Sequence, residues 1–322
     1  MGLTNFPYGV SSFGIPVVGA GIPVSYGTVY FVDYDNGSDA NHGKSTTKAF
    51  KTVQKALDTV TTNKHDIIVL SANSAHPVTA MLDISKNRVH MIGADCRTGF
   101  GMGARSRITM GVTTAVTDIA VMKNTGVGNT FTGIKFDSSN TVDESLYTVA
   151  EGGEYAIYNR CEFYKSTDLN VTGAAEILNN GDSTQWLNCV IGSSANIVAD
   201  NVIRANMLLT ATLSGKKCRD NVLDNCVFLT KAGGTEHVDI YGANATDVER
   251  LFYVKDCLFY NNLLAAADPA HAVGFGAAQT EGSVILKNCT SVSHLVMAQA
   301  AMNIYVDGAV PTFATTGVSV AA

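Results

Sequence analysis

The sequence predicts an all-β solenoid, a chain wound into coils of short strands that stack on one another. Five of the seven cysteines stand in one repeated frame, each preceded by Arg, Asn or Asp, and the frames are 28, 37, 31 and 32 residues apart. Apolar residues in these segments alternate at i, i+2 and are often interrupted by Gly or Asn, whereas helical repeats need i, i+3, i+4 spacing. The frame cysteines are Cys161, Cys189, Cys226, Cys257 and Cys289.

Composition narrows the function classes. With 322 residues, 46% hydrophobic and 16% charged, the chain has enough apolar content for a large core. Its net charge of −6 and its scattered Lys and Arg argue against nucleic acid as a partner. The sequence has no apolar run of about 18 residues and no secretion signal. We therefore expect no membrane association, and we expect the chain to be made in a host cytoplasm.

Stacked parallel strands lie about 4.8 Å apart, so equivalent residues of successive coils form columns. We expect each frame cysteine and the aromatic residue two positions later to point into the core. The Asn or Asp before the cysteine then lies at a bend, where its side chain can bond to the next coil. Ile134 and Phe136 fit an earlier coil that lacks the cysteine. The predicted core ladder is Cys161, Phe163, Cys189, Cys226, Phe228, Cys257, Phe259 and Cys289.

Cysteines stacked at this spacing are close enough for disulfides between coils. Free buried thiols are the preferred interpretation, because a cytosol keeps thiols reduced. The sequence has no CxxC motif and no convergent histidine pair, so it predicts no zinc site. We expect no metal and no cofactor.

Residues 29 to 60, "VYFVDYDNGSDANHGKSTTKAFKTVQKALDTV", followed by "HDIIVLSAN" and "VHMIGA", resemble the N-terminal part of pectate-lyase-like proteins. The resemblance implies a right-handed parallel β-helix with an initial strand, an NGSD-type turn and a short helix before the first coils. It covers most of residues 29–294 and is specific for architecture. It is unspecific for activity, since the same fold serves lyases, hydrolases, phage tailspikes and structural proteins.

An amphipathic helix is predicted near 48–62, with its apolar face formed by Ala49, Phe50, Val53, Ala56, Leu57 and Val60. A solenoid needs its terminal coil covered, and this helix is placed to act as the N-terminal cap. Ser45 or Thr46 is the predicted helix N-cap.

The loop before that helix offers Asp33, Asp35 and Asp39 around Gly37, which are suitable residue types for calcium. It lacks the bidentate acid that completes an EF-type loop. We interpret it as a structural joint whose Asx side chains bond the backbone of their own turn, with a bound calcium ion as the alternative.

The pectate-lyase-like resemblance implies acidic clusters on the outer face of one sheet if the protein is an enzyme. Candidate groups are Asp137 with Asp143 and Glu144, Glu151 with Glu154, Asp200 with Arg204, and Glu236 to Asp239. None recurs at coil spacing with an acidic partner, as a pair of catalytic carboxylates requires. The prediction is therefore no enzyme and no catalytic residues; His237 and Asp239, on one strand face, are the best alternative.

The termini carry the functional prediction. Residues 1–28 form an arm without charged side chains, and 295–322 form a second nearly uncharged segment, either a cap or an oligomer contact. The arm is too broken by Pro and Gly for a helix and too apolar for a solvated tail. It either packs along its own solenoid or docks on a partner. Its predicted contact residues are Phe6, Pro7, Tyr8, Phe13, Ile15, Pro16 and Val17.

The segment "TNFPYGVSSFGIPV", residues 4–17, is similar to N-terminal segments of tailed-bacteriophage virion proteins, including some that accompany the major capsid protein. The resemblance implies a virion protein that decorates or cements the capsid exterior through its arm. Its partners would be the major capsid protein and copies of itself, with a homotrimer favoured. The alternative is a tail fibre or spike that binds or cleaves host polysaccharide.

Overall fold

The computed structural model describes residues 27–72, 75–94, 106–110, 119–138, 146–165, 173–193, 204–210, 215–232, 234, 236–262, 268–300 and 303–307, and the backbone of 11–12 and 15–16. The last two short segments, β1 (Ser11–Ser12) and β2 (Ile15–Pro16), pair antiparallel. All other strands pair in parallel and form three sheets.

Within the described residues, sheet 1 has ten strands and sheets 2 and 3 have eight each. Sheet 1 contains β3 (Val29–Val32), β4 (Ile67–Leu70), β7 (His90–Gly93), β10 (Thr130–Thr132), β13 (Ile157–Asn159), β16 (Gln185–Leu187), β19 (Asn221–Asp224), β22 (Leu251–Lys255), β25 (Ser283–Lys287) and β28 (Ile304–Val306). Sheet 2 contains β5 (Ala75–Val78), β8 (Arg107–Met110), β11 (Lys135–Ser138), β14 (Glu162–Lys165), β17 (Val190–Gly192), β20 (Val227–Thr230), β23 (Leu258–Asn261) and β26 (Thr290–Val292). Sheet 3 contains β6 (Leu82–Ile84), β9 (Ala120–Asn124), β12 (Tyr147–Glu151), β15 (Ala175–Asn179), β18 (Ala205–Leu209), β21 (Val238–Gly242), β24 (His271–Phe275) and β27 (Val296–Ala298).

From β4 onward the chain visits sheets 1, 2 and 3 in turn, and each strand pairs with the strand three places later. This is the architecture of a parallel β-helix, so the all-β solenoid predicted from the repeat is confirmed. Each coil has three strands where the repeat suggested two. The frame itself contains a sheet 1 strand and a sheet 2 strand, separated by two residues, a bend residue and the cysteine.

That bend residue is the one before each cysteine. Arg160, Asn188, Asn225, Asp256 and Asn288 have φ between 52° and 56°, in the left-handed region. One such residue turns the chain sharply, and Asn and Asp tolerate this conformation better than other residues with a side chain. The side chains also bond between coils, because Asn225 Nδ2 donates to Asn188 Oδ1 over 2.9 Å and Asn288 Nδ2 donates to Asp256 Oδ1 over 2.6 Å.

The interior consists of columns of like side chains. Phe131, Tyr158 and Trp186 stack on consecutive coils, with ring centroids 4.7 and 4.2 Å apart. Phe136 stacks on Phe163 in the next column, which places the cysteine-free coil where the repeat predicted it. Stacked aromatic pairs contribute about 0.5–1.5 kcal/mol each beyond their burial.

The frame cysteines are buried and are free thiols. Their sulfurs lie near backbone carbonyls of the preceding coil, as in the 3.2 Å contact from Cys226 Sγ to the oxygen of Trp186. Cys218, outside the frame, is also buried and free. Burial raises the pKa of Cys161 to about 12, although nearby backbone hydrogen bonds oppose the shift.

The helix is shorter than predicted. α1 spans Val53–Thr59, follows a 3₁₀ turn at Thr46–Lys48, and lies against β3, β4 and β5. The helix cannot begin earlier because Phe50 forms a β-bridge with Val32. The predicted N-cap at Ser45 or Thr46 is therefore wrong: Thr52 caps α1, and its side chain accepts the N–H of Lys55. The capping role of α1 stays a prediction.

In the preceding loop the acidic side chains bond backbone groups. Asp33 Oδ1 accepts the N–H groups of Asp35 and Asn36, and Asp39 Oδ1 accepts those of Lys51 and Thr52 at 2.9 Å. These bonds fix the turn and join it to the helix N-terminus, as expected for a structural joint. No helix in the described part of the chain is long and apolar enough to cross a membrane.

Candidate functional site

A row of charged side chains follows the turn that leads from sheet 3 into sheet 1. Isolated parallel bridges pair Glu154 with Asp182 and Asp182 with Arg219, and two further glutamates continue the row on the next two coils. Five coils at about 4.8 Å spacing give the row a length of roughly 19 Å. This charged row consists of Glu154, Asp182, Arg219, Glu249 and Glu281.

The backbone fixes the row through a second column of left-handed residues. Tyr155, Ser183 and Asp220, each directly after a member of the row, have φ of 55°, 55° and 51°. The N–H of Tyr155 donates to the oxygen of Asp182 over 2.8 Å, and the N–H of Ser183 donates to the oxygen of Arg219 over 2.7 Å. Each bend is therefore tied to the next coil, which holds the charged side chains in register.

Ion pairs connect the row across coils. Arg219 Nη2 lies 2.9 Å from both carboxylate oxygens of Glu249, and Arg219 Nη1 lies 3.3 Å from Asp182 Oδ2. These hydrogen bonds and charges raise the pKa of Arg219, the bond to Glu249 most of all. Lys216 Nζ reaches Glu154 over 2.5 Å. The result is a mixed array of paired acidic and basic groups rather than a patch of one charge.

The row lines an open cleft of about 730 Å³, together with Gly215, Lys216, Lys217 and Arg250. This volume is typical of small-molecule sites. Lys217 pairs with Glu281 over 2.5 Å, and Arg250 pairs with Asp220. Tyr155, next in the chain to Glu154, is 60% exposed. Tyr155 is not among the residues that line the cleft, but it directly follows one of them in the chain.

The acidic groups of the cleft are paired with basic side chains. Each of its four acidic side chains, Glu154, Asp182, Glu249 and Glu281, lies against a Lys or Arg in the described structure. Glycoside hydrolysis needs one carboxylic acid that donates a proton and a second that acts as nucleophile or base. Within the described ranges, no three His, Cys, Asp or Glu side chains come together as a metal-binding group. The cleft therefore presents paired charged groups that can donate and accept hydrogen bonds.

His237 and Asp239, the sequence candidates for catalysis, do come together, but in the interior. His237 Nε2 lies 3.2 Å from Asp239 Oδ1, and His294 Nε2 lies 3.0 Å from Asp239 Oδ2. Thr230 Oγ1 donates to Asp239 Oδ1 over 2.7 Å. Burial alone raises the pKa of Asp239, but His294 and His237 outweigh it and hold that pKa below its ordinary value.

At most 7% of Asp239, His237 and His294 is exposed. A polysaccharide cannot reach side chains buried to this degree, so this group serves as a polar core.

The other acidic candidates are not brought together. Glu151 is fully buried, whereas Glu154 lies in the cleft. Arg204 forms a buried ion pair with Glu176, and its proposed partner Asp200 lies outside the described residues. Arg107 lies 3.8 Å from Asp137 on the outside of sheet 2. Asp143 and Glu144 also fall outside the described part of the chain.

The arm residues predicted to contact a partner, Phe6 to Val17, lie outside the described side chains. In that range only the backbone strands Ser11–Ser12 and Ile15–Pro16 are described. The partner contact therefore stays a prediction.

No family model matches the chain, and no curated protein matches it. Solved structures with the same fold do. The pectate lyase Pel9A aligns with a TM-score of 0.58 and 12% identity over 86% of this chain and 67% of its own. A rhamnogalacturonan lyase gives 0.56 and 13% over 88% and 73%. The pectin methylesterase from Aspergillus niger gives 0.51 and 10% over 88% and 91%.

The structural alignments establish the parallel β-helix fold. At such low sequence identity they establish nothing about activity. ORF18 of Geobacillus virus E2 also aligns, with a TM-score of 0.46 and 14% identity over 74% of this chain and 45% of its own. A similarity this weak supports no functional argument.

Proposed function

We propose that the protein binds a polysaccharide along the charged cleft without cleaving it. The observation that carries the proposal is the charged row, which presents one ion-paired side chain per coil over roughly 19 Å. A regular array of donors and acceptors suits a ligand that is itself a repeating, hydroxyl-rich chain. The structures of similar fold include enzymes named for pectin and rhamnogalacturonan, which supports a glycan as the ligand class.

Tyr155 supports the same ligand class. Aromatic rings bury large apolar area while their hydroxyl keeps a polar contact, and they pack well against the apolar face of a sugar ring. Tyr155 has a left-handed backbone conformation and is 60% exposed. A bulky residue rarely adopts that conformation, and strained residues are frequent at functional sites.

The test is a binding and cleavage assay on the full chain. Purified polygalacturonate and purified bacterial capsular and lipopolysaccharide glycans are each incubated with the protein. We expect saturable binding to at least one glycan, with no new reducing ends and no unsaturated products. Absence of binding to every glycan contradicts the proposal, and so does the appearance of cleavage products.

A second candidate function is capsid decoration, with the major capsid protein as partner and the virion as location. It is favoured by the uncharged arm, residues 1–28, and by its similarity to phage virion segments. Deleting residues 1–28 should abolish attachment to purified capsids and leave a soluble β-helix, as checked by circular dichroism. Full capsid affinity after the deletion would reject this function without affecting the cleft.

A further inference from the structure

We infer that the glycan bound along the charged cleft is uncharged, and that the cleft discriminates against polyanionic glycans such as polyuronates. This selectivity rests on the proposed function and deepens it, because it concerns the class of glycan that the same site takes. Three features of the cleft point to it: the balance of its charges, the pairing of its basic groups and the exposure of the paired side chains.

The cleft has no excess of positive charge. Among the described residues that line it, four are basic, four are acidic and one is Gly215. Asp220, the partner of Arg250, adds one more carboxylate, and the whole chain has a net charge of −6. A polyanion therefore meets a balanced site on a protein that repels it at longer range. The basic residues are Lys216, Lys217, Arg219 and Arg250, and the acidic residues are Glu154, Asp182, Glu249 and Glu281.

Each of these basic groups already has a carboxylate partner. Lys216 Nζ lies 2.5 Å from Glu154 Oε1, and Lys217 Nζ lies 2.5 Å from Glu281 Oε2. The two arginines are paired as described above. The carboxylate of a uronate sugar must therefore compete with the carboxylate that already holds each cation. One exposed ion pair is worth a factor of about two to five in affinity, and the competition recurs at every pair that the glycan contacts.

Sugar hydroxyls fit the same pairs without this competition. A hydroxyl both donates and accepts hydrogen bonds, whereas an ionised carboxylate only accepts them. Each pair places a donor beside an acceptor, and both remain accessible: the side chain of Lys217 is 30% exposed and that of Glu281 is 42% exposed. A hydroxyl can therefore bond both members of a pair, while a carboxylate can bond only the basic member and is repelled by the acidic one.

The test sorts a panel of glycans by charge. The full chain is titrated calorimetrically with neutral dextran, galactan and mannan, and with anionic polygalacturonate, alginate and hyaluronate, at about 0.15 M salt. Purified capsular and lipopolysaccharide glycans join the neutral or the anionic group according to their content of uronate and phosphate. We expect saturable binding to at least one neutral glycan, and binding to every polyanion that is weaker by roughly tenfold, because at least two pairs are contested.

The outcomes separate this selectivity from the proposed function. If a polyanion binds as tightly as the best neutral glycan, the selectivity is overturned and glycan binding itself stands. Absence of binding to every glycan in the panel overturns both.

The chain offers a matched pair of variants that isolates the cause. Glu281→Gln removes the carboxylate that holds Lys217 in the cleft, whereas Glu162→Gln removes the carboxylate 2.9 Å from Lys135 on the outside of sheet 2. Each variant loses one negative charge and keeps a side chain of nearly the same size. Circular dichroism and a thermal melt verify that both are folded.

We expect Glu281→Gln to bind polygalacturonate about two- to fivefold more tightly than the wild type in affinity electrophoresis at low ionic strength, because Lys217 is released from its partner. Glu162→Gln should match the wild type. Salt at about 1 M should abolish the gain, since it screens exposed charges. Equal retardation of the two variants would contradict the claim that ion pairing discriminates against polyanions.

Discussion

The hydroxyl of Tyr158 donates a 2.6 Å hydrogen bond to Glu151 Oε2 in the interior of the solenoid. The same carboxylate accepts the N–H of Gly153 and the side-chain amide of Asn124. Burial raises the pKa of Glu151 to about 7, although these hydrogen bonds act in the opposite direction.

A raised pKa in the folded state predicts a pH dependence of stability. Between the ordinary value of 4.5 and about 7, folded Glu151 keeps a proton that the unfolded chain has released. Stability should therefore fall as pH rises through this window, by about 3 kcal/mol in total. Urea unfolding of wild type and Glu151→Gln at pH 5 and pH 8 checks this. The stability of the wild type relative to Glu151→Gln should fall by about 2–3 kcal/mol between pH 5 and pH 8; a difference independent of pH would contradict it.

The aromatic column should be a main source of stability. Trp186 is fully buried and lies 4.2 Å from Tyr158, ring centroid to ring centroid. Trp186→Ala leaves a large cavity and should cost about 3–5 kcal/mol of unfolding free energy. Gln185→Ala, at the exposed neighbouring position, is the control and should change it by less than about 0.5 kcal/mol. Equal effects in a denaturant titration would show that the column does not carry the stability.

Asp239 should be structural rather than catalytic. Asp239→Asn removes the negative charge between His237 and His294 and leaves one of them without its acceptor oxygen, and breaking a buried charged group of this kind costs about 3–5 kcal/mol. Asp58→Asn, on the exposed side of α1, should be nearly neutral. Glycan binding at a temperature where both variants are folded should match wild type. Loss of binding in folded Asp239→Asn would instead place this cluster at the ligand.

The buried thiols should be inert and unlinked. Iodoacetamide applied to the native protein, followed by peptide mass spectrometry, should leave Cys161, Cys189, Cys218, Cys226, Cys257 and Cys289 unmodified, because the reagent cannot reach buried thiols. Denatured protein is the positive control. Dithiothreitol should not change the melting temperature, whereas a drop on reduction would reveal disulfides between coils.

The fold could be predicted because its signals are local. The residue before each frame cysteine has a left-handed backbone, and the residue two places after the cysteine is buried in the core. Both positions can be recognised by residue type, so the repeat can be read from the sequence. What could not be predicted is which side chains meet across coils. His294 reaches Asp239 from 55 positions away, and Arg204 pairs with Glu176 instead of the nearby Asp200.

The charged row had a sequence signal that was missed. Glu154, Asp182 and Arg219 each stand seven residues before a frame cysteine, and Glu249 and Glu281 stand eight before theirs. The interval grows from seven to eight because the later coil has one more residue between the bridge of Cys218 with Val248 and the pair of Asn221 with Phe252. Because the charge changes sign along the row, a search for acidic pairs does not find it.

Tyr155 allows backbone strain and the proposed glycan binding to be tested at one position. Gly128 occupies the same place on the preceding coil with φ of 69°, a conformation that costs glycine nothing. Tyr155→Gly should therefore raise the unfolding free energy by about 1 kcal/mol. It should also weaken glycan binding, since the exposed ring is lost. Tyr155→Phe should keep most of the binding. A Tyr155→Gly variant with full glycan affinity would remove this residue from the site.

The most direct test of the glycan-binding account compares Arg219→Ala with Arg107→Ala in an isothermal titration against whichever polysaccharide the wild type binds. Arg219 connects Asp182 with Glu249 in the cleft, whereas Arg107 is an exposed arginine on the outside of sheet 2. We expect Arg219→Ala to lose at least tenfold in affinity while it remains folded, and Arg107→Ala to match the wild type. Unchanged affinity in folded Arg219→Ala would contradict the claim that the cleft is the binding site.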